Sequence, residues 1–216
     1  MTKRLQEIYS LLPNCKVFAD VGCDHGYIAK AMLDGDKCQK VIISDISDKC
    51  LQKAKDLLAK ELQSGVAEAI VSDGFDNLPY HDLALIAGMG GEEIVAILKK
   101  AKNLPEKLLL QPMKNTDKVR VCAVELGYKI ITDYTFYSSK IYYDVILLEK
   151  GEDSLSLEEI EFGRTNLQKR PQAFINCLQN KISVLQKVCK HKNLKKESLD
   201  SLTKEINRIK KYVDDK

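Results

Sequence analysis

Five short apolar runs, each closed by an acid, a proline or a glycine turn, constrain the fold of this chain more than any other feature. They are "KVFADVG" (16–22), "KVIISDI" (40–46), "EAIVSDG" (68–74), "LALIAGMGG" (83–91) and "KLLLQP" (107–112). Helical stripes lie between several of them. In "SDKCLQKAKDLLAKEL", Leu51, Ala54, Leu57, Leu58 and Leu62 fall on one face, and in "GEEIVAILKKA" so do Ile94, Ile97 and Leu98. Strand then helix, repeated, predicts a parallel sheet with helices on both faces. After a further helix at "TDKVRVCAVELG" the rhythm changes. "YKIITDYTFYSS" and "KIYYDVILLEK" are two strand-like runs with almost nothing between them, which predicts an antiparallel hairpin at the sheet's edge.

Beyond "GEDS" (151–154) the strand signals stop, and three helical segments are expected. Phe174, Leu178, Ile182, Leu185 and Cys189 make one stripe. Leu199, Leu202, Ile206, Ile209 and Val213 recur at spacings of three and four, the seam of a coiled coil, with "HKN" near residue 192 as the turn. The expected architecture is therefore α/β, with a Rossmann-like body over residues 1–153 and a helical hairpin over 154–216.

Charge divides the chain at nearly the same place. From Arg164 to Lys211 there are thirteen lysines and arginines against three acids, a balance of +10, whereas the whole chain carries only +3. The remainder is thus −7. A basic appendage on an acidic body suits a polyanionic partner, and Lys187, Lys190, Lys192, Lys195 and Lys196 cluster where the hairpin tip is expected. The seven cysteines are scattered without a C-x-x-C pair, so neither a disulfide framework nor a metal site is signalled. No apolar run approaches the roughly 20 residues of a membrane span, and the N-terminal "MTKRLQEIYSLL" is amphipathic and short rather than a secretory leader. A cytoplasmic protein is expected, monomeric or weakly dimeric, with no protein partner inferred.

In an open parallel sheet the ligand site lies at the carboxyl ends of the strands. Asp20, Asp45 and Asp73 close the first three runs, which sets three carboxylates on one rim. An acid after the second strand suits ribose hydroxyls, and Asp73 suits an exocyclic adenine amine. The first loop, "DVGCDHG", selects among nucleotides. It has only Gly22 and Gly26 and sets Asp20, Asp24 and His25 beside them, so it lacks the G-x-G-x-x-G cradle for a pyrophosphate and repels phosphate. It fits a cofactor whose headgroup carries an ammonium and a sulfonium, S-adenosyl-L-methionine.

With these motifs the chain resembles the bacterial tRNA (adenine(22)-N1)-methyltransferase family, within the class I S-adenosylmethionine methyltransferases. The resemblance rests on "RL" (Arg4, Leu5), "ADVGCDHGYIA" (19–29), "SDGF" (72–75), "IAGMGG" (86–91), "LLLQP" (108–112) and "YYDVILLE" (142–149). It implies that Asp20, Gly22, Asp45, Asp73, Gly74 and Gly88 line the cofactor site. It implies further that Asp24, His25 and Tyr27 face the methyl group, that Arg4, Gly90 and Gly91 meet the substrate, and that the basic tail holds tRNA. Met113 stands where the family has asparagine after "LQP", and no role is carried over to it.

Adenine N1 carries an available lone pair, so transfer needs alignment more than a strong base. Asp24 is the candidate for stabilising the charge that develops on the ring, Tyr27 for orienting the base, and His25 for a neutral polar neighbour. Two alternatives stay open from sequence: a methyltransferase acting on another RNA or a small molecule, and a non-catalytic RNA-binding protein on the same fold.

Overall fold

A computed structural model describes residues 1–190 and 195–214 of the 216-residue chain. The five runs form the parallel strands β1 (Val17–Val21), β2 (Lys40–Asp45), β3 (Ala67–Val71), β4 (Leu83–Ala87) and β5 (Lys107–Gln111). The two later runs form β6 (Tyr128–Ser138) and β7 (Ile141–Lys150), antiparallel to each other and, through β7, to β5. The sheet order is β3-β2-β1-β4-β5-β7-β6, so the chain reverses direction across the sheet between β1 and β4. The two-residue turn of the hairpin, Ser139 and Lys140, has positive φ at both positions, the backbone that matches the twist of a tight β-hairpin.

Each strand of the parallel portion alternates its side chains between two apolar layers. Phe18, Val41, Ile43, Leu83, Leu85 and Leu109 face one layer, covered by α1 (Lys3–Leu11), α2 (Tyr27–Asp34) and α3 (Asp48–Leu57). Ala19, Ile42, Ala84, Ile86, Leu108 and Leu110 face the other, under α5 (Gly91–Lys100) and α6 (Thr116–Glu125). The expected helix over 47–62 is divided. At Leu58 the backbone leaves the helical region, and α4 (Ala59–Gln63) follows separately. The break buries Leu58 completely and turns Leu57 outward.

After the sheet, four helices are described where three were expected: α7 (Leu157–Phe162), α8 (Arg164–Lys169), α9 (Gln172–Cys189) and α10 (Lys196–Asp214). Gly163, at φ 87°, makes the corner between α7 and α8, and Pro171 precedes α9. The last two helices run antiparallel. Lys181 pairs with Glu205 at 3.2 Å, and Arg170 Nη2 donates to the Tyr212 carbonyl at 2.7 Å. Phe174, Leu178, Ile182, Ile206 and Ile209 are buried along this seam, while Leu185, Cys189, Leu202 and Val213 are only half-buried and Leu199 is exposed. The "HKN" turn lies outside the described residues. Among the described residues, no helix is long and apolar enough to cross a membrane.

Helices α7 and α8 are fastened to the body by buried polar groups. Arg120 of α6 donates from Nε to Asp133 of β6 at 2.8 Å and from Nη1 to the Ile160 carbonyl at 3.0 Å. The other oxygen of Asp133 accepts from the Thr165 amide at 2.9 Å, and Asn166 Oδ1 accepts from the Thr135 amide at 2.9 Å.

Candidate active site

A cleft of about 440 Å³ opens where the strand order reverses, between the loops that follow β1 and β4. Its lining includes Arg4, Asp20, Gly22, Asp24, His25 and Tyr27. Ala87, Gly88 and Met89 close the β4 side. The topology explains the position: neighbouring loops diverge at the reversal and leave a crevice at the carboxyl ends of the strands.

The β1 loop is held by its neighbour. The amides of Gly22 and Cys23 both donate to the Ser44 carbonyl of β2, at 2.8 and 3.1 Å. Gly22 and Gly26 take positive φ, which glycine adopts without Cβ strain, and Asp24 between them is also left-handed at φ 45°. A Cβ on Gly22 would overlap the Met89 Cε, so the methionine of the β4 loop rests directly over this glycine.

Asp20 is 6% exposed and, among the described residues, has no cationic side-chain partner. Burial pushes its carboxyl up to about 7, against a backbone hydrogen bond from Ala29 that favours the charged form, and the nearby Asp45 adds repulsion. Arg4 enters the cleft from α1. Its Nε donates to the Gln111 Oε1 at 2.7 Å and its guanidinium stands 5.5 Å from the centre of the Tyr143 ring. Half-burial lowers the pKa of this arginine from its ordinary value. A second tether fixes α1, the hydrogen bond from the Tyr134 hydroxyl to Glu7 at 2.5 Å. The cleft lining therefore includes a buried acid and a fixed cation.

Another part of the lining is polar and more exposed. His25 stacks on Tyr27 with ring centres 5.2 Å apart and planes 9° apart, and His25 Nδ1 lies 2.6 Å from an oxygen of Asp24. The second Asp24 oxygen lies 3.4 Å from Lys53 Nζ. Asp24, His25 and Tyr27 thus form one connected step at the mouth of the cleft.

Several expected residues take other positions. Asp45 is half-buried at the end of β2, where its carboxylate accepts from the Ile46 amide at 2.8 Å, and it stands beside the cleft rather than in its lining. Asp73 is turned away, with its side chain 59% exposed and 2.7 Å from Lys100 in the last turn of α5. Gly74 packs against α5: a Cβ there would come within 2.7 Å of Ile97 Cγ2. Gly90 and Gly91 lie outside the cleft lining. A Cβ on Gly91 would come within 2.5 Å of the Lys114 and Asn115 carbonyls, so its bareness lets two loops touch. Lys187, Lys190, Lys195 and Lys196 are exposed around the ends of α9 and α10, and Lys192 lies outside the described residues.

The contact between those loops escaped sequence reasoning. Gly88 donates to the Gln111 carbonyl at 3.0 Å, Met113 to Met89 at 2.9 Å and Gly91 to Lys114 at 3.0 Å, so "IAGMGG" and "LQPMKN" continue the β4–β5 ladder past the strand ends. Gln111, fully buried at the end of an otherwise leucine-rich strand, was the visible signal. It anchors Arg4 on one side, and its Nε2 donates to the Pro112 carbonyl at 3.0 Å.

Comparison with known proteins shows the family of the chain. The family model described as tRNA (adenine(22)-N(1))-methyltransferase matches residues 18–211. The tRNA (adenine(22)-N(1))-methyltransferase of Bacillus subtilis is 28% identical over 165 residues, covering 74% of this chain and 69% of that protein. The structure of M. capricolum TrmK in complex with S-adenosyl-homocysteine superposes with a TM-score of 0.88 at 27% identity, covering 99% of this chain and 98% of that one. The crystal structure of the B. subtilis M1A22 tRNA methyltransferase TrmK, 24% identical, has the same fold, with a TM-score of 0.85 and 99% of each chain covered.

Proposed function

The chain belongs to the tRNA (adenine(22)-N(1))-methyltransferase family, and from that premise we propose that its cleft transfers a methyl group from S-adenosylmethionine to N1 of adenine 22 in tRNA. The observation that carries the assignment to this cleft is the buried Asp20, which has no cationic partner among the described residues and shares the lining with Arg4. An acid with a strongly raised pKa is stabilised by a cation brought in by a ligand, and a fixed arginine nearby suits a carboxylate. That pair of demands fits the zwitterionic amino-acid end of S-adenosylmethionine, whose sulfonium supplies the methyl group and keeps the electrons of the broken bond.

The chain's own residues then have defined tasks. Gly22 and Gly88 border the cofactor, and their missing side chains make room in the cleft for Met89 and for the Arg4 guanidinium. Asp45 meets the ribose hydroxyls once its carboxylate swings from the Ile46 amide, and Asp73, one of whose oxygens pairs with Lys100, accepts from the adenine amine. Adenine N1 needs no proton removed, so the stacked His25 and Tyr27 serve to hold the base plane, and Asp24 stabilises the positive ring that results. The exposed lysines of α9 and α10 meet tRNA phosphates. On this reading the body is residues 1–153, the tRNA holder 154–216, and the place of action the cytoplasm.

Incubation of the full chain with tRNA and S-adenosylmethionine, followed by mass mapping of the digested RNA, tests the assignment. One N1-methyladenosine at position 22 is expected. Transfer to free nucleosides with none to tRNA, or methylation of a different atom or nucleotide, would overturn it.

A further inference from the structure

Met89 closes the cleft on one side, and its carbonyl accepts from Met113, which lines a second cavity of about 290 Å³. Lys114, Asn115, Asp117, Tyr142 and Glu161 line the rest of it. Because β7 runs antiparallel to β5, the start of β7 brings Tyr142 to the same rim of the sheet as the active-site loops. The far wall belongs to the tail side: Glu161 accepts from both terminal nitrogens of Arg208 in α10, at 2.6 and 2.8 Å. The cavity therefore lies between the catalytic cleft and the basic helices.

We propose that this cavity receives one nucleobase bearing an exocyclic amine, from a nucleotide flanking the target adenine; the inference rests on the tRNA reading given above. Three features select that ligand. The volume admits a single base. Tyr142 is half-buried and backed by Tyr137, with ring centres 4.8 Å apart, so it presents an aromatic surface held in place, on which any base stacks. The lining offers the acceptors Asp117 and Asp144, while Glu161 is already paired with Arg208 through both oxygens. Carboxylates repel phosphate and accept from the exocyclic amines of adenine, guanine and cytosine; uracil has no such amine and offers only its ring N3–H. Lys114 is the cation in the lining, placed to meet the phosphate that follows the base. One oxygen of Asp144 is already taken by the Thr135 hydroxyl at 2.6 Å, which fixes the carboxylate's orientation.

The test uses the full chain and tRNA carrying 2-aminopurine at each nucleotide flanking the target. Binding should quench the fluorescence at one of these positions. Tyr142→Ala should abolish the quench and raise the KM for tRNA about tenfold, the scale of one lost base stack, while Tyr142→Phe keeps both near the parent. Cofactor affinity, measured by calorimetry, should not move. Uridine at the quenched position should impair the parent and add little to the impairment of Tyr142→Ala. If Tyr142→Ala lost cofactor binding as well, Asp117→Asn and Lys114→Ala, both at exposed positions, decide instead: each should weaken tRNA binding severalfold. A parent that methylates tRNA while these variants bind and methylate it equally well would overturn the cavity alone, whereas a parent inert toward tRNA would overturn the function reading and the cavity together.

Discussion

Asp20 and Asp133 are both buried carboxylates on strands of one sheet, yet they are built in opposite ways. Asp133, at the seam between body and tail, accepts on both oxygens: Arg120 Nε donates to Oδ2 and the Thr165 amide donates to Oδ1. Asp20, in the cleft, has a backbone hydrogen bond and a second acid for company. Burying a charge is costly unless it is paired and hydrogen-bonded. The seam satisfies its acid from within the chain; on the proposed function, the cleft leaves its acid to be satisfied by a ligand. A buried acid without a cation marks function, and a buried acid with one marks construction.

The largest expected effect comes from breaking the paired acid. Arg120→Ala leaves Asp133 charged and buried, and also removes the donor to the Ile160 and Glu161 carbonyls. Loss of one partner of a buried pair costs about 3 to 5 kcal/mol. Denaturant unfolding should show that loss, and cofactor affinity in the folded fraction should be retained. A variant as stable as the parent would mean that the seam tolerates an unpaired acid as the cleft does, and the contrast would fail. The same contacts affect truncation: removing everything from residue 155 strips Thr165 and Ile160 from this pair, so a test of the tail's role has to cut after α8.

Asp20→Asn probes the other side of the contrast, with an effect that depends on pH. The folded-state pKa of about 7 lies above the ordinary 3.8, so between these values the folded protein holds a proton that the unfolded chain has released. Stability without ligand should therefore fall as pH rises from about 4 to about 7, by at most about 4 kcal/mol. Asn at position 20 removes that slope and should make the free protein more stable than the parent at pH 8, while weakening S-adenosylmethionine binding. Parent affinity should rise through the same pH window as the carboxyl ionises. Chemical denaturation at pH 5 and pH 8, with calorimetry at both, checks each sign; equal slopes in parent and variant would remove Asp20 from the account.

The sequence discloses these two acids unequally, for a physical reason. Asp20, Asp45 and Asp73 are visible because strand ends recur with the period of the fold and each is followed by a turn. The same rule leaves the orientation of Asp73 open, since a side chain just past a strand end is free to choose its partner, and Lys100, 27 residues on, competes for it. Arg120 and Asp133 interrupt the apolar runs "VRVCAV" and "IITDYTF", a signal of buried charge that has meaning only when the two are matched across α6 and β6. Likewise, the glycines of "IAGMGG" are legible as a bare loop, but Gly91 serves the 112–115 loop, and that contact depends on strands β4 and β5 being neighbours. The basic tail was legible from charge alone, because net charge needs no partner to be counted.

The smallest effect concerns a third acid that lies between the two designs. Asp73 is exposed and shares Lys100 with Asp76, at 2.7 and 2.5 Å. Exposed pairs contribute about 0 to 1 kcal/mol, so Lys100→Ala should change stability by less than about 1 kcal/mol. Its effect on the cofactor separates two accounts of the rim. If the Asp73 carboxylate has to leave Lys100 to accept from the adenine amine, removal of that competitor leaves S-adenosylmethionine affinity unchanged or tightens it by a few-fold, the equivalent of about 1 kcal/mol or less. If the lysine instead holds Asp73 in its working position, affinity falls. Asp73→Asn supplies the control, because an amide keeps an acceptor oxygen for the adenine amine but forms no ion pair with Lys100. Calorimetry on the two single variants and the double variant resolves the coupling. Weaker binding by Lys100→Ala that disappears in the Asp73→Asn background would make the ion pair part of the cofactor site and would extend the cleft's logic, an acid kept for a ligand, to the surface of the molecule.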